Sequence, residues 1–502
     1  TPCGTLFPYT TLFRSGGNRA MDINPDDIES ITVLKGPSAA ALYGLKAAEG
    51  AIIITTKRGK KGEGKISFSS TLSWDEPLRL PPLQSKWGQG TADNDETEIN
   101  GEEYRFVPFH DSVRSSWGPA ISGEPFNGKT YDNIGNFYQT ALTQKHSLSA
   151  QGGTEKATYY LSFSQYDQDG IVPNTNYNRT TVRFNSDVTI KQNLKAGVSI
   201  NYTNSENKRT ISGTNGVMMS ILSWPITHEM SDWETSGGEQ KTLLPSSLAS
   251  NDLDNPYWSV KNNTTNEITK RFIGNAYLNW QPFKFLDLRY QLGRDFYHQD
   301  YRHVKMPGSL LALSSEGALS ERTTLNEITS SKLLVTFDYT ITPDIKTKIL
   351  LGHEAEERKR RSIYFSGTEF MTPDFIGINN TTHTSDNFRD VSQVSSIRRL
   401  FGVFGSARLD YRNWAYIEYT GRNDWSSPLP EANQSFYYQS VNVGLIITDM
   451  LGMMNNPVLP YGKIRASYAE VGKDAPPHKI ETELEGVTEL GGGYEYGYFG
   501  NN

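Results

Sequence analysis

A single cysteine, Cys3, stands among the 502 residues, so no intramolecular disulfide can brace the chain. Long apolar runs are missing too. The nearest approaches are "GAIIITT" (Gly50–Thr56) and "VGLIIT" (Val443–Thr448), far short of the 18 or more residues of a membrane helix. That shortage leaves open a transmembrane β-barrel, whose lipid face occupies only every second residue. Excess basic charge is absent: the net charge of −7 gives no electropositive footprint, which argues against nucleic acid as a partner. Hydrophobic residues make up 36%, below the ~45–50% apolar of an ordinary soluble domain. At the front, "TPCGTLFPYTTLFRS" (Thr1–Ser15) lacks the charged and apolar regions of a signal peptide. It reads as translated adaptor sequence, an assembly artefact, which leaves the genuine chain without cysteine.

What is abundant points to strands and turns: 27 Tyr, 44 Gly and 12% aromatic residues. One stretch departs from that grammar. In "NPDDIESITVLKGPSAAALYGLKAAEGAIIITTKRGK" (Asn24–Lys60), Asn24 is an N-cap, Pro25 takes the first helical position, and Asp26, Asp27 and Glu29 sit at the positive helix end. "ESITVLK" (Glu29–Lys35) reads as a strand stopped by Gly36-Pro37, and "SAAALYGLKAA" (Ser38–Ala48) as an Ala-rich helix ending before Gly50. "GAIIITTKRG" (Gly50–Gly59) is a β-branched strand expected to be covered on both faces. Together they spell a strand–helix–strand crossover too small to stand alone.

Beyond "KKGEGK" (Lys60–Lys65), period-two alternation takes over. "KISFSSTLSW" (Lys65–Trp74) opens it. On both sides of the short link Lys191–Asn193 the pattern predicts lipid-facing Val182, Phe184, Val188, Ile190, Leu194, Ala196, Val198 and Ile200, with Arg183, Asn185, Asp187, Lys195, Ser199 and Asn201 turned inward. Thirteen strands can be laid out. Short links fall at 152–156, 191–193, 281–284, 342–345 and 412–413, and long polar stretches at Asp75–Lys145, Thr203–Thr269, Tyr297–Thr329 and Arg358–Ser396. Links sorted by length onto two ends are how outer-membrane barrels are built, and a soluble β-sandwich has no reason for it.

These residues resemble the end of the plug domain and the barrel of TonB-dependent outer-membrane transporters of the SusC/RagA type. The plug signature is carried by Asn24, Pro25, Asp27, Ile28, Gly36, Pro37, Ser38, Ala39, Tyr43, Gly44, Gly50 and Thr56; Leu45-Lys46 and Glu49 depart from the usual Ser-Arg and Asn. "GGTEKATYYLSFSQYDQDGIV" (Gly152–Val172), "GRNDWSSPLPEANQSFYYQSVNVG" (Gly421–Gly444) and "KIRASYAEVGKDAPPHK" (Lys463–Lys479) resemble barrel strands of the family. The resemblance implies residues 16–60 as the C-terminal part of a plug and 61–502 as the N-terminal portion of an all-β transmembrane antiparallel barrel with long outer loops. With about 22 strands in such a barrel, about 13 are present and the wall is expected to be incomplete, its first strand unpaired on one edge and the chain aggregating in detergent. The function implied is TonB-dependent import of oligosaccharides or peptides across the outer membrane. The partners implied are a SusD-like surface lipoprotein, the TonB–ExbB–ExbD complex and outer-membrane lipid. A siderophore- or cobalamin-type receptor, and a non-transport glycan-binding adhesin, are the alternatives.

No catalytic constellation is present. "HEAEE" (His353–Glu357) lacks the second histidine of a zinc helix and falls on a strand. No cofactor is expected; the acidic run "DNDETE" (Asp93–Glu98) is the one candidate for Ca²⁺, against a plain solvated loop. "GGGYEYG" (Gly491–Gly497) has no nucleotide-binding context. Trp74, Trp280 and Trp414 sit at strand ends, as interfacial girdle residues do. The loop residues Trp87, Trp117, Trp233 and Trp258 are candidates for stacking on substrate, loop self-packing being the simpler expectation.

Overall fold

The computed structural model describes residues 4–8, 19–34, 44–45, 50–89, 97–99, 102–104, 116–118, 120–123, 127–213, 216–241, 243, 253–311, 316–382, 390–453, 458–472, 474–477, 484–488 and 494–498. Three strands come first: β1 (Gly4–Pro8), β2 (Ile28–Leu34) and β3 (Ala51–Thr56). The wall follows as β4 (Gly62–Asp75), then, after a small hairpin β5 (Thr97–Ile99) and β6 (Glu102–Tyr104), β7 (Ala141–Gly153), β8 (Ala157–Asp169), β9 (Asn176–Lys191) and β10 (Leu194–Arg209). It continues with β11 (Thr264–Phe283), β12 (Leu286–Lys305), β13 (Ala318–Thr342), β14 (Ile345–Thr368), β15 (Asp390–Tyr411), β16 (Ala415–Ser426), β17 (Ser435–Ile446) and β18 (Lys463–Ala469). A last hairpin joins β19 (Leu484–Thr488) to β20 (Tyr494–Tyr498).

Thirteen strands, β4 and β7 to β18, form one antiparallel sheet in which sequence neighbours pair throughout. The count and order match the period-two reading. Among the described residues the outer edges of β4 and β18 have no partner strand, so the wall is open, as expected.

The strands run far past the alternation that announced them. β13 has 25 residues and β14 has 24, whereas crossing a bilayer takes about 9–11. Tyr297–Thr329 and Arg358–Ser396, expected to be long connections, are largely strand, leaving links at 306–317 and 369–389; Thr203–Thr269 shrinks to 210–263. The physical reason is that strand above the membrane is wet on both sides and has no apolar face to advertise it. Link sorting is also imperfect: 170–175 and 427–434 are short among the long links, and 447–462 is long among the short ones.

The leading unit needs a larger correction. β2 and β3 pair antiparallel, with Ile31 opposite Ile54 and Val33 opposite Ile52, so the connection between them is not a parallel crossover. An antiparallel pair accepts any excursion that returns to the same end, and a helical pattern cannot tell the two apart. Of the helix expected over Ser38–Ala48, Gly44 and Leu45 are described; Gly36, Pro37, Ser38, Ala39 and Tyr43 lie outside the described residues. β3 has no exposed residue, in agreement with its β-branched run. The hinge into the wall is shorter than "KKGEGK", since β4 already begins at Gly62.

The wall has one greasy and one polar face. Val182, Phe184, Val188 and Ile190 are exposed on one side of β9, while Arg183 and Asn185 are buried on the other. Register places Ala196 opposite Val188 and Ile200 opposite Phe184, so the outward set continues onto β10. Leu194 pairs with Trp280 and Tyr202 with Phe272, which sets Val198 midway between two aromatic-flanked levels. In the complete protein Val198→Arg is expected to cost about 2–4 kcal/mol, read as a lower denaturant midpoint in vesicles. An unchanged midpoint would reverse the assignment of the faces.

Among the described residues, small clusters take the place of a central core. Ile23 and Ile54 pack with Ile28 and Ile52 beneath β3. Ile134, Phe137, Val217, Ile221, Trp224, Met230, Leu243 and Val260 form a cap over the long-loop end, assembled from the short helices Asn133–Phe137, Val217–Ser223 and Pro256–Asn262.

Candidate functional site at the plug–wall seam

The short turn at Pro25–Asp27 forms as its sequence dictates: the Asn24 side chain accepts from the Asp26 amide at 3.2 Å, and Pro25 has no amide to leave unpaired. The turn aims three carboxylates at the polar face of the wall. Asp26 accepts from Lys145 Nζ at 2.7 Å and Ser147 Oγ at 2.8 Å, both on β7. Asp27, 1% exposed, accepts from Tyr160 OH at 2.9 Å and Ser162 Oγ at 2.6 Å on β8, with Arg183 Nε of β9 at 3.5 Å. Asp22 reaches further: its carbonyl accepts from Thr203 Oγ1 of β10 at 2.8 Å and its carboxylate pairs with Arg271 Nη1 of β11 at 2.8 Å. Arg271 also holds Asp295 of β12 through two hydrogen bonds of 2.9 and 2.8 Å. Arg179 donates to the Met21 carbonyl. Within the seven residues Met21–Asp27 the segment thus touches five consecutive strands, β7 to β11, and Arg271 links it to a sixth, β12.

Two further contacts pin the unit. After β3, Arg58 pairs with Asp187 at 2.6 Å and lies over the Tyr277 ring, and the Lys57 carbonyl accepts from Asn185. Further round the wall, Gly44 takes φ +76° with its α-carbon so close that an added Cβ would lie 2.7 Å from Arg422 Nη2. Arg422 cannot easily retreat, because its Nε is bonded to Asp424 at 2.8 Å and Glu354 stands 3.6 Å from Nη1. Gly44→Ala is therefore expected to cost about 1–2 kcal/mol from the left-handed backbone alone, measured as a denaturant midpoint of the complete protein. No loss would mean that the backbone at Gly44 relaxes away from Arg422.

Burial would raise the Asp26 carboxyl, but the hydrogen bonds from Lys145 and Ser147 and the charges of Lys145 and Lys57 outweigh it, holding the group below its ordinary value. A lowered folded-state value stabilises the docked turn above the unfolded value, and that contribution fades as pH falls through the folded one. Hydrogen-exchange protection of residues 19–34 should drop below about pH 4. Asp26→Asn should remove that acid-dependent part.

Above the seam lies a 930 Å³ cavity, lined by Gln168, Asn176, Tyr177, Arg209, Tyr301 and His303 among others. Tyr177 is two residues up β9 from Arg179, and Val172, another lining residue, packs against the cap. The cavity therefore sits between the docked turn and the cap. Sequence reading missed Tyr301 and His303 because that part of β12 read as a polar link. The available signal was the i, i+2 rhythm continuing inward from Tyr297.

The candidate tryptophans are not brought together. Trp258 is buried in the cap, as loop self-packing would have it, and Trp233 is half-buried with Lys261 Nζ 4.5 Å from its ring centre. Trp87 and Trp117 are exposed, and Trp87 bridges to Ala120. None of the four lines the cavity. Of the remaining signature residues, Asn24, Gly50 and Thr56 are buried, Ile28 is half-buried and Pro25 is exposed. Asp93–Asn94–Asp95–Glu96 of the acidic run lie outside the described residues, and no cluster of three metal-binding side chains occurs among the described ones. His353 and Glu354 of "HEAEE" point to opposite faces, His353 against Phe401 and Glu354 toward Lys332 and Arg422.

No family model matches the chain. It is 24% identical over 486 residues to the TonB-dependent receptor P26 of Formosa agariphila, covering 94% of this chain and 46% of that protein. To the TonB-dependent receptor SusC of Bacteroides thetaiotaomicron it is 27% identical over 283 residues, 53% of this chain and 26% of that protein. Among solved structures, the RagAB peptide importer in its closed-closed state matches with a TM-score of 0.78 at 19% identity, covering 97% of this chain and 56% of that one. The chain spans about half the length of the relatives it matches along most of its own length.

Proposed function

The chain is a TonB-dependent receptor of the SusC/RagA type, a β-barrel protein of the outer membrane, and from that premise we propose that the complete protein imports an oligosaccharide or a peptide. A SusD-like lipoprotein would close over the long-loop end, and the TonB–ExbB–ExbD complex would supply the work. The observation that carries the proposal is the turn Asp22–Asp27, docked by charges and hydroxyls across five strands, β7 to β11, directly below the cavity. A seam of this kind separates into water at lower cost than an apolar core, because the parted groups are resolvated. The plug can then shift while the lipid-facing wall keeps its shape. Carboxamides and tyrosines around the cavity, with Lys208 and Arg209 balanced by Asp75 and Asp169, suit a polar chain without net charge such as a glycan or a peptide backbone.

Cysteines in place of Asp26 and Ser147, whose side chains touch at 2.8 Å, would test the movement. In cells carrying the complete protein, oxidation should stop uptake of labelled oligosaccharide or peptide and reductant should restore it. Uptake that persists with the cross-link formed, or without TonB, would end the proposal.

A further inference from the structure

On β13 to β16 the outward face changes character at one level. Ile349, Leu351, Val403, Phe401 and Trp425 are exposed apolar residues, and His353, Phe401 and Trp425 meet edge to face in sequence with ring centres 4.7 and 5.3 Å apart. Immediately above them the register aligns Thr329, Glu357 and Arg399 in one row, with Arg294 of β12 at its end. Lys359 and Arg361 follow on the same face of β14, both exposed. Arg399 lies 2.8 Å and Lys359 2.9 Å from the single carboxylate of Glu357, and Arg294 is matched by Glu327 at 2.6 Å. Four cations thus face two carboxylates, a local excess of positive charge on a chain that is acidic overall. Between β13 and β16 the same surface is indented by a 520 Å³ groove, with Phe401, Trp425 and Ala355 on its apolar side and Glu357 and Arg399 on its charged side.

Height decides what this surface meets. From the lower aromatic level at Tyr411 to Arg399 is twelve residues of β15. At about 3.3 Å per residue and a tilt near 40° that rise is about 30 Å, the thickness of a bilayer's hydrocarbon core. The cations therefore stand at the headgroups of the outer leaflet, continuous with the lipid-facing band below.

We propose that this groove is a binding site for a phosphorylated lipid of the outer leaflet: an acyl chain lies along Phe401 and Trp425, and Arg399, Lys359 and Arg361 hold the headgroup phosphate. Glu357 keeps the two nearer cations extended toward the phosphate position. Arginine suits this role because its planar fork offers paired donors to phosphate oxygens.

The test uses the complete protein purified in detergent, with retained lipid counted by native mass spectrometry. The probes are lipid A carrying one phosphate, the same lipid with its phosphate removed, and inorganic phosphate as competitor. Wild type should retain the phosphorylated form selectively, and millimolar inorganic phosphate should not displace it. At about a fivefold gain per surface cation, Lys359→Gln with Arg399→Gln should lower retention roughly 30-fold. Trp425→Ala should weaken both lipid forms equally. Equal retention of the two lipids by wild type, or equal retention by wild type and the double variant, overturns the proposal. Heat-shifted gel mobility reports barrel folding; should the double variant fail it, Arg361→Gln alone replaces it, with about a fivefold loss expected and no loss counting against the site.

Discussion

Arg271→Met in the complete protein should lower stability by about 3–5 kcal/mol and release the turn at Asp22–Asp27 from the wall. Arg271 is 4% exposed and is the cation between Asp22 of the leading unit and Asp295 on β12. Methionine fills similar volume, so the loss reports charge and not a cavity. With the arginine gone, the Asp22 carboxylate, 3% exposed, must stay buried without it, take up a proton or leave the wall. The readouts are the denaturant midpoint in vesicles and hydrogen exchange over residues 19–34, which should lose protection together. Arg209→Ala breaks the half-exposed pair with Glu267 and should change stability by about 0–1 kcal/mol, a control for surface charge. If the two variants behave alike, the seam is not held by Arg271.

Asp254→Ala should have an effect of similar size, confined to the cap. Asp254 is fully buried and accepts from Gln240 Nε2 at 2.9 Å, the Leu310 amide at 2.7 Å, Asn263 Nδ2 at 2.6 Å and Ser309 Oγ at 2.7 Å. One carboxylate thus ties together three stretches of loop. Hydrogen bonds to a charged group contribute about 1.5–3 kcal/mol each, and their donors would be left buried and unpaired. The loss should therefore reach about 3–5 kcal/mol of local stability, seen as protease cleavage within 231–263 at protease levels that leave the wall intact. An uncut cap would show that its apolar cluster suffices without Asp254.

The number of wall strands, their order and their two faces were legible in the sequence. Inside the bilayer each strand is bounded by lipid on one side and a polar lumen on the other, so residues such as Val182 to Ile200 must alternate. No other arrangement of the same residues avoids placing Arg183 or Asp187 in hydrocarbon. The capped turn at Asn24–Asp27 was legible for a local reason as well: Asn and Pro settle the backbone there without distant help.

Only tertiary structure decided the rest. Where strands leave the membrane, water on both sides removes the selection for alternation, and β12 to β15 continue through sequence that reads as loop. The antiparallel pairing of β2 and β3 depends on how an intervening excursion returns, which periodicity does not encode. Asp22 meets Arg271 across 249 residues and Asp27 meets Ser162 across 135, contacts created when the sheet curves around the turn. Trp258 became cap interior and not a stacking surface because the helix bearing it is packed inward by Asp254 and its neighbours. A residue's type states what it can bond; which partner it finds depends on strands hundreds of residues away arriving at the same height.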